Sequence, residues 1–432
     1  MSPQEAASSG LARSIRRWDL VAVVINGVIG AGIFGLPSKT FSLAGDYSLF
    51  AFIACGLCVA VLVLSFAEVA SRYAGTGGPF LYASEAFGRT AGFTVGWLVW
   101  LARITSFSAN CNLLPAYLDL FFPGAASGMA RALIIIGVVG TLSVVNVTGV
   151  RTVADASNVF AIGKLIPLAI FVVAGLFFLD PARFSFAVAP GYHPFSQSVL
   201  LLVYAFTGFE MAVIPAGEIR NPQRNLPAAL LMGMTVVIIV YVLIQVVCIG
   251  TLPTLATSQR PLADAAGRFL GTAGAAMITL GIVISLAGNL NVLILAGSRI
   301  LFAMGERGDL PPLLASIHPR YRTPVPAVLA TTAVMLVVTL SGTFIYLLTI
   351  STLSRLVTYF ATCGALPVLR RRADAPPAGF LMPAGVAVAI VGMLVALWLL
   401  SNSTLREARD TSIAAAAGLL IYGLYRLKRA SN

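Results

Sequence analysis

The chain has 432 residues, of which 58% are hydrophobic and only 10% charged. Such a chain has too little polar surface to coat a water-soluble particle of its size, so composition excludes a soluble globular enzyme and points to the membrane. The net charge of +12 does not mark a nucleic-acid binder, because Lys39, Lys164 and Lys428 are the only lysines and the arginines sit near the ends of apolar runs, where they report topology.

A hydrocarbon core takes about 20 apolar residues per helix. Charged, Pro and Gly clusters divide the chain into twelve apolar stretches, at residues 18–44, 47–72, 90–118, 131–149, 153–179, 194–216, 226–250, 272–304, 324–341, 343–368, 379–401 and 411–427. Met1–Arg17 is polar and leads into a long apolar segment with no cleavage pattern, so the first span is expected to be retained. Between spans 2 and 3, Gly77–Gly88 (GGPFLYASEAFG) reads as a short amphipathic helix at the inner face. Most of the 28 Lys and Arg residues fall in alternate segments on the side of the N-terminus. That bias predicts cytoplasmic N- and C-termini in a bacterial inner membrane. Cys55, Cys58, Cys111, Cys248 and Cys363 all lie in apolar runs without metal-site spacing, as buried cysteines do.

In span 1, NGVIGAGIFGLP (Asn26–Pro37) contains G-x-G-x-x-G. A dinucleotide turn needs a strand before it and an acid some 20 residues on, whereas here both flanks are apolar and the next acid, Asp46, opens another span. Close helix packing through Gly27 and Gly35 is a second reading. The third is a helix broken in the membrane, and span 6 carries a matching interruption at FTGFE (Phe206–Glu210). Five spans separate the two, so they run in opposite directions, the signature of an inverted repeat with a site at the midplane. Residues 18–179 and 194–368 are then the two five-helix repeats, 379–427 the last two helices, and 1–17 and 428–432 the tails. Unwound backbone is tolerated in hydrocarbon only where it lines a cavity. It frees N–H groups at the start of one half-helix, which suit an anion, and carbonyls at the end of the other, which suit a cation. A carboxylate and an ammonium a few ångströms apart describe an α-amino acid.

Four segments resemble the amino acid-polyamine-organocation (APC) superfamily of transporters: INGVIGAGIFGLP in span 1, FAEVASRYAGTGGPFLYASEAFG (Phe66–Gly88), YAFTGFEMAVIPAGEIRNPQRNLP (Tyr204–Pro227) and SRILFAMGERGDLP (Ser298–Pro311). The resemblance covers residues 18 to about 370. It implies an all-α integral membrane protein of the LeuT-type fold, with twelve transmembrane helices in a 5+5 inverted repeat, helices 1 and 6 broken at the midplane, and two C-terminal helices. It implies a substrate site at Val28, Ile29, Gly30, Ala31, Gly32, Phe206, Thr207 and Gly208. There the Ala31 and Gly32 N–H groups would hold the carboxylate, and the Val28, Phe206 and Thr207 carbonyls the ammonium. Tyr204 matches an aromatic gate; its other reading is a packing tyrosine.

Lys164, in FAIGKLIPL, is an ammonium inside a span and a functional candidate by default; the alternative is snorkelling to the interface. A lysine on helix 5 resembles the family variant in which a protein ammonium replaces sodium. Its partners would be the carbonyls of Asn26 and Ile29 and the side chain of Asn291, and it could bind and release a proton in the cycle. Glu210 follows the second break, either to couple gating or to satisfy unwound N–H groups. Arg103 either lines the pocket or pairs with an acid. Glu68, Arg299 and Arg355 are expected in ion pairs nearer the inner face.

Only His193 and His318 are histidines, and neither H-E-x-x-H nor G-x-S-x-G occurs, which leaves metal hydrolysis and serine chemistry without their parts. No P-loop is present to use ATP. No cofactor or metal is expected; the partners are an amino acid, protons and the bilayer, with no nucleic acid. The expected function is a secondary amino acid transporter working by alternating access. Small apolar stretches around the presumed cavity favour neutral substrates and proton symport is preferred. A sodium-independent exchanger and a cationic amino acid or polyamine transporter remain as alternatives, and a channel or substrate-sensing receptor as a different class.

Overall fold

The computed structural model describes residues 10–119, 121–341, 344–401 and 405–430. The chain is all-helical: α1 (Arg17–Val28), α2 (Gly32–Ala44), α3 (Ser48–Ala70), α4 (Pro79–Phe87), α5 (Arg89–Leu118), α6 (Gly128–Thr148), α7 (Val150–Leu176), α8 (Tyr192–Phe206), α9 (Pro222–Thr251), α10 (Pro261–Glu306), α11 (Val325–Ser341), α12 (Phe344–Arg371), α13 (Gly385–Ser401) and α14 (Leu405–Ala430). Among the described residues the one pairing of extended backbone is a parallel bridge between Ile15 and Ile219. Each apolar stretch of the sequence coincides with helix, and α4 occupies the Gly77–Gly88 segment. Seven helical stretches among the described residues are long and apolar enough to cross a membrane, and α11 and α13 are shorter apolar helices.

Two boundaries differ from expectation for local reasons. Helix α10 starts at Pro261, earlier than the expected 272, but Gly271 has φ 68° and ψ −163° and splits it. The expected boundary falls on that break. In span 6 the part beyond the interruption is not α-helical: Phe209–Val213 is a 3-10 segment, followed by a second 3-10 turn at Ala216–Glu218. Pro215, with no N–H to donate, stands between the two.

Helix α1 is enclosed by α7, α9 and α10, and its last turn meets the Phe209–Val213 segment. Every residue of α1 from Asp19 to Val28 is buried, so the break that follows lies inside protein rather than against lipid, as unwound backbone requires. Helix α5 packs against both α10 and α12, and α13 and α14 lean on α12.

Candidate functional site

Helix α1 stops because Ile29 turns to φ −74°, ψ 87°, and α2 starts at Gly32. The last carbonyls of a helix have no intrahelical donor, and in a dry core each must find one. Here each does. Asn289 Nδ2, from α10, donates to the Asn26 and Gly27 oxygens at 3.0 and 2.9 Å. The Gly30 N–H donates to Val28 O at 2.8 Å, with the Tyr241 hydroxyl 3.4 Å away. The Ile29 oxygen accepts from Lys164 Nζ at 2.6 Å and from Ser285 Oγ at 2.9 Å. At the head of α2, Phe34 turns back to Ala31 O at 3.2 Å, while the Ala31 and Gly32 N–H groups precede any acceptor of their own helix.

The second break sits opposite. Helix α8 ends at Phe206, Thr207 is extended, and Gly208 adopts φ 121°. The Gly208 N–H donates to Glu210 Oε2 at 2.9 Å. The two breaks touch: a methyl group on Gly27 would stand 2.7 Å from the Gly208 carbonyl oxygen, and one on Gly208 would run into the Gly27 carbonyl.

Beside this contact lies a cavity of about 270 Å³ of atom-free space, its open side included. Gly27, Val28, Gly30, Ala31 and Gly32 form one wall, and Ser106, Asn110, Tyr204, Thr207, Asn289 and Arg355 supply the rest. Of the lining residues, Ala31 and Tyr204 are half-buried and the others buried, so what access the cavity has passes them. A relay of hydrogen bonds crosses it, from the Tyr204 hydroxyl to Asn110 Oδ1 (3.2 Å) and from Asn110 Nδ2 to Asn289 Oδ1 (2.8 Å). Through Asn289 the relay reaches the end of α1.

Below the second break Glu210 is fully buried and takes four donors. Arg103 Nη2 (2.7 Å) and Arg355 Nη1 (3.1 Å) reach Oε1; the Tyr359 hydroxyl (2.6 Å) and the Gly208 N–H reach Oε2. Both readings of Glu210 therefore meet in one side chain: it satisfies unwound backbone, and it ties that backbone to α5 and α12. Arg103 pairs with this acid rather than lining the cavity.

Lys164 is fully buried, which excludes snorkelling. Its ammonium touches the Ile29 carbonyl as expected, but the rest of the expected partner set changes. The Asn26 oxygen is held by Asn289. The Asn291 side chain accepts from Asn146 at 3.1 Å and faces Val153 and Ser157. The second acceptor of Lys164 is Ser285 O at 3.2 Å. Helix geometry explains the exchange: Ser285 and Asn289 are one turn apart on one stripe of α10, and Asn291 is rotated about 200° from Asn289.

Arg355 stands in an ion pair, as expected, with Glu210 at 3.1 Å, and it also lines the cavity, which the sequence reading did not anticipate. Glu68 and Arg299 stand in ion pairs, with Arg370 and Glu218 respectively. Ser106, Asn110 and Asn289 were missed; the signal for them was polar side chains inside long apolar runs, SFSANCN and LAGNLNV. The cavity thus joins the expected small apolar wall at Gly27, Val28, Gly30, Ala31 and Gly32 to a polar one.

Residues 15–422 match the amino acid permease family, a branch of the APC superfamily. The chain belongs to that family. Among curated proteins, the permease is 27% identical to the serine/threonine exchanger SteT of Bacillus subtilis over 97% of this chain and 98% of the relative. It is 26% identical to a methylthioribose transporter and 25% to the branched-chain amino acid permease BcaP, both of the same organism. Those matches cover 98% of this chain and 95% and 96% of the relatives. The permease is thus an integral membrane transporter of the amino acid permease kind and not an enzyme. Relatives of nearly equal similarity carry names with different substrates, so similarity alone does not choose one.

Proposed function

We propose that the permease moves α-amino acids across the bilayer by alternating access, with twelve transmembrane helices, a LeuT-type 5+5 inverted repeat and cytoplasmic termini in a bacterial inner membrane. The observation that carries this reading is the meeting of two helix breaks at Gly27 and Gly208 beside one polar cavity. Amides of Ala31 and Gly32 face a substrate carboxylate with the dipole of α2 behind them. Carbonyls of Phe206 and Thr207, at the end of α8, receive the ammonium. The Val28 oxygen already accepts from Gly30 and faces the Tyr241 hydroxyl at 3.4 Å, and it joins the ammonium site when that hydroxyl donates to Ala205 O instead. Tyr204 closes the half-buried side.

Lys164 holds the end of α1 where a sodium ion would otherwise be needed, and its release of a proton would leave a neutral amine that grips the Ile29 carbonyl more weakly, which eases a shift between the two halves of the first span. This makes proton symport the preferred coupling. Exchange is the second reading, favoured by an ammonium that pairs with no carboxylate among the described residues and acts as a fixed charge. Purified protein in liposomes separates them. Uptake into empty vesicles driven by an imposed pH gradient supports symport; counterflow without such uptake supports exchange; uptake without counterflow marks a channel and overturns the transporter reading.

A further inference from the structure

The buried polar centre beside the cavity does not balance its charge. Arg103 and Arg355 are two cations, both nearly or fully buried, and among the described residues Glu210 is the one carboxylate that pairs with either of them. Glu210 is saturated by four donors and has no capacity left. Lys164, on the far side of the first break, adds a third buried cation and is held only by backbone carbonyls. Arg103 Nε and Nη1 meet no hydrogen-bond partner among the described residues. Arg355 uses one N–H each on Glu210, Ser106 Oγ (2.8 Å) and Ser351 Oγ (3.3 Å), and a guanidinium has five. A surplus positive charge in a low-dielectric interior is expensive unless something negative joins it.

The backbone wall from Gly27 to Gly32 accounts for the main-chain groups of an amino acid. The side chains that complete the wall are Ser106, Asn110, Tyr204, Thr207, Asn289 and Arg355, of which Arg355 alone carries a charge. We propose that Arg355 is the specificity-determining residue of the permease and that it selects substrates whose side chain carries a carboxylate. The favoured class is thus acidic amino acids, with uncharged hydrogen-bond acceptors next and cationic side chains excluded. The spare N–H groups of a guanidinium fit a carboxylate, and the ligand's extra charge neutralises the centre. A lysine or arginine side chain in the same place would face Arg355 with a like charge, which at a separation near 5 Å disfavours it on the order of a hundredfold.

This inference rests on the reading of the cavity as an amino acid site. Its test is competition against counterflow in liposomes, with glutamate, aspartate, glutamine, serine, leucine, lysine and arginine as competitors. The wild-type permease is expected to rank glutamate or aspartate at least tenfold above glutamine and far above lysine. In Arg355→Gln, and in Ser106→Asp, which puts a carboxylate on the position whose hydroxyl accepts from Arg355 at 2.8 Å, the ratio of acidic to uncharged inhibition is expected to fall at least tenfold. Ser106→Asp leaves both guanidiniums paired, so it keeps the test alive where Arg355→Gln does not fold. A wild type that prefers lysine, leucine or serine over both acids overturns the inference, as does an unchanged ratio in either variant. Folded protein with no counterflow of any amino acid would instead overturn the transporter reading beneath it.

Discussion

Gly27 and Gly208 press backbone against backbone where the two broken spans cross, with no room for a side chain on either. The contact is asymmetric. Gly208 sits at φ 121°, a conformation that L side chains rarely adopt, whereas Gly27 is helical and excludes a methyl only through the 2.7 Å approach of the Gly208 oxygen. Gly208→Ala therefore combines strain with a clash and is expected to destabilise the fold by roughly 3 kcal/mol. Gly27→Ala, which Met211 and the opposing loop can partly accommodate, should cost about half as much. Thermal unfolding of the two variants in detergent, with counterflow as a second readout, checks the order; equal and negligible effects would mean that the breaks do not touch.

Lys164→Ala removes the ammonium from the Ile29 and Ser285 carbonyls. Uptake driven by a pH gradient is expected to fall at least a hundredfold, because both the titrating group and the donor that holds the end of α1 are gone. Lys164→Gln keeps a donor without the charge, so it should recover stability but not the dependence on the gradient. Undiminished gradient-driven uptake by Lys164→Ala would remove the lysine from the coupling mechanism.

How much of this was legible in the sequence divides along a physical line. Depth in the membrane is a one-dimensional quantity, and apolar run length with Gly and Pro punctuation carries it. That is why α1 ends and α2 begins within the glycine motif of the first span, and α8 ends just before Gly208. Azimuth around a helix is not carried the same way in a segment that is apolar on every side. Depth predicts an ion pair for Arg355, which it makes with Glu210, but does not give the direction across α12 that also brings it to the cavity. Asn291 was assigned to Lys164, although Ser285 and Asn289 own the face of α10 that meets the first break. The spacing of polar residues within each run, Ser285 to Asn289 and Ser351 to Arg355, was the available clue to which side mattered.

Asn289 is the keystone of the first break, because one amide group serves two α1 carbonyls and anchors Asn110. Asn289→Leu strands three buried polar groups at once and is expected to destabilise the permease by about 2–4 kcal/mol. It should also weaken amino acid binding, since Asn110 then loses the partner that orients it toward Tyr204. Asn110→Ala removes only the relay and should lower affinity with a smaller loss of stability. Substrate-dependent thermal shifts for both variants separate these effects; if Asn110→Ala proves the less stable, the relay matters more to the fold than the end of α1 does.

The segment before α1 seals one end of the bundle. The Ile15 N–H donates to Glu218 O at 3.1 Å and the Arg220 N–H to Ile15 O at 3.0 Å, and Ile15 itself is buried. Glu218 is clamped in turn by Arg299 through two bonds of 2.9 and 3.0 Å, and the adjoining Gly217 packs on Thr76. The chain that follows the second break is thus held to the N-terminal segment and to α10 together, so opening this end requires those bonds to part. Ile15→Pro deletes one donor and the geometry of its neighbour, a change of about 1–2 kcal/mol, which in a two-state gate is close to a tenfold shift in population. A cysteine at Thr76, in a background lacking the five native cysteines, reports the opening through its rate of reaction with a membrane-impermeant maleimide. The rate is expected to rise about tenfold in Ile15→Pro when the reagent is on the side of the N-terminus. No change in rate would show that the N-terminal segment packs on the gate without holding it shut.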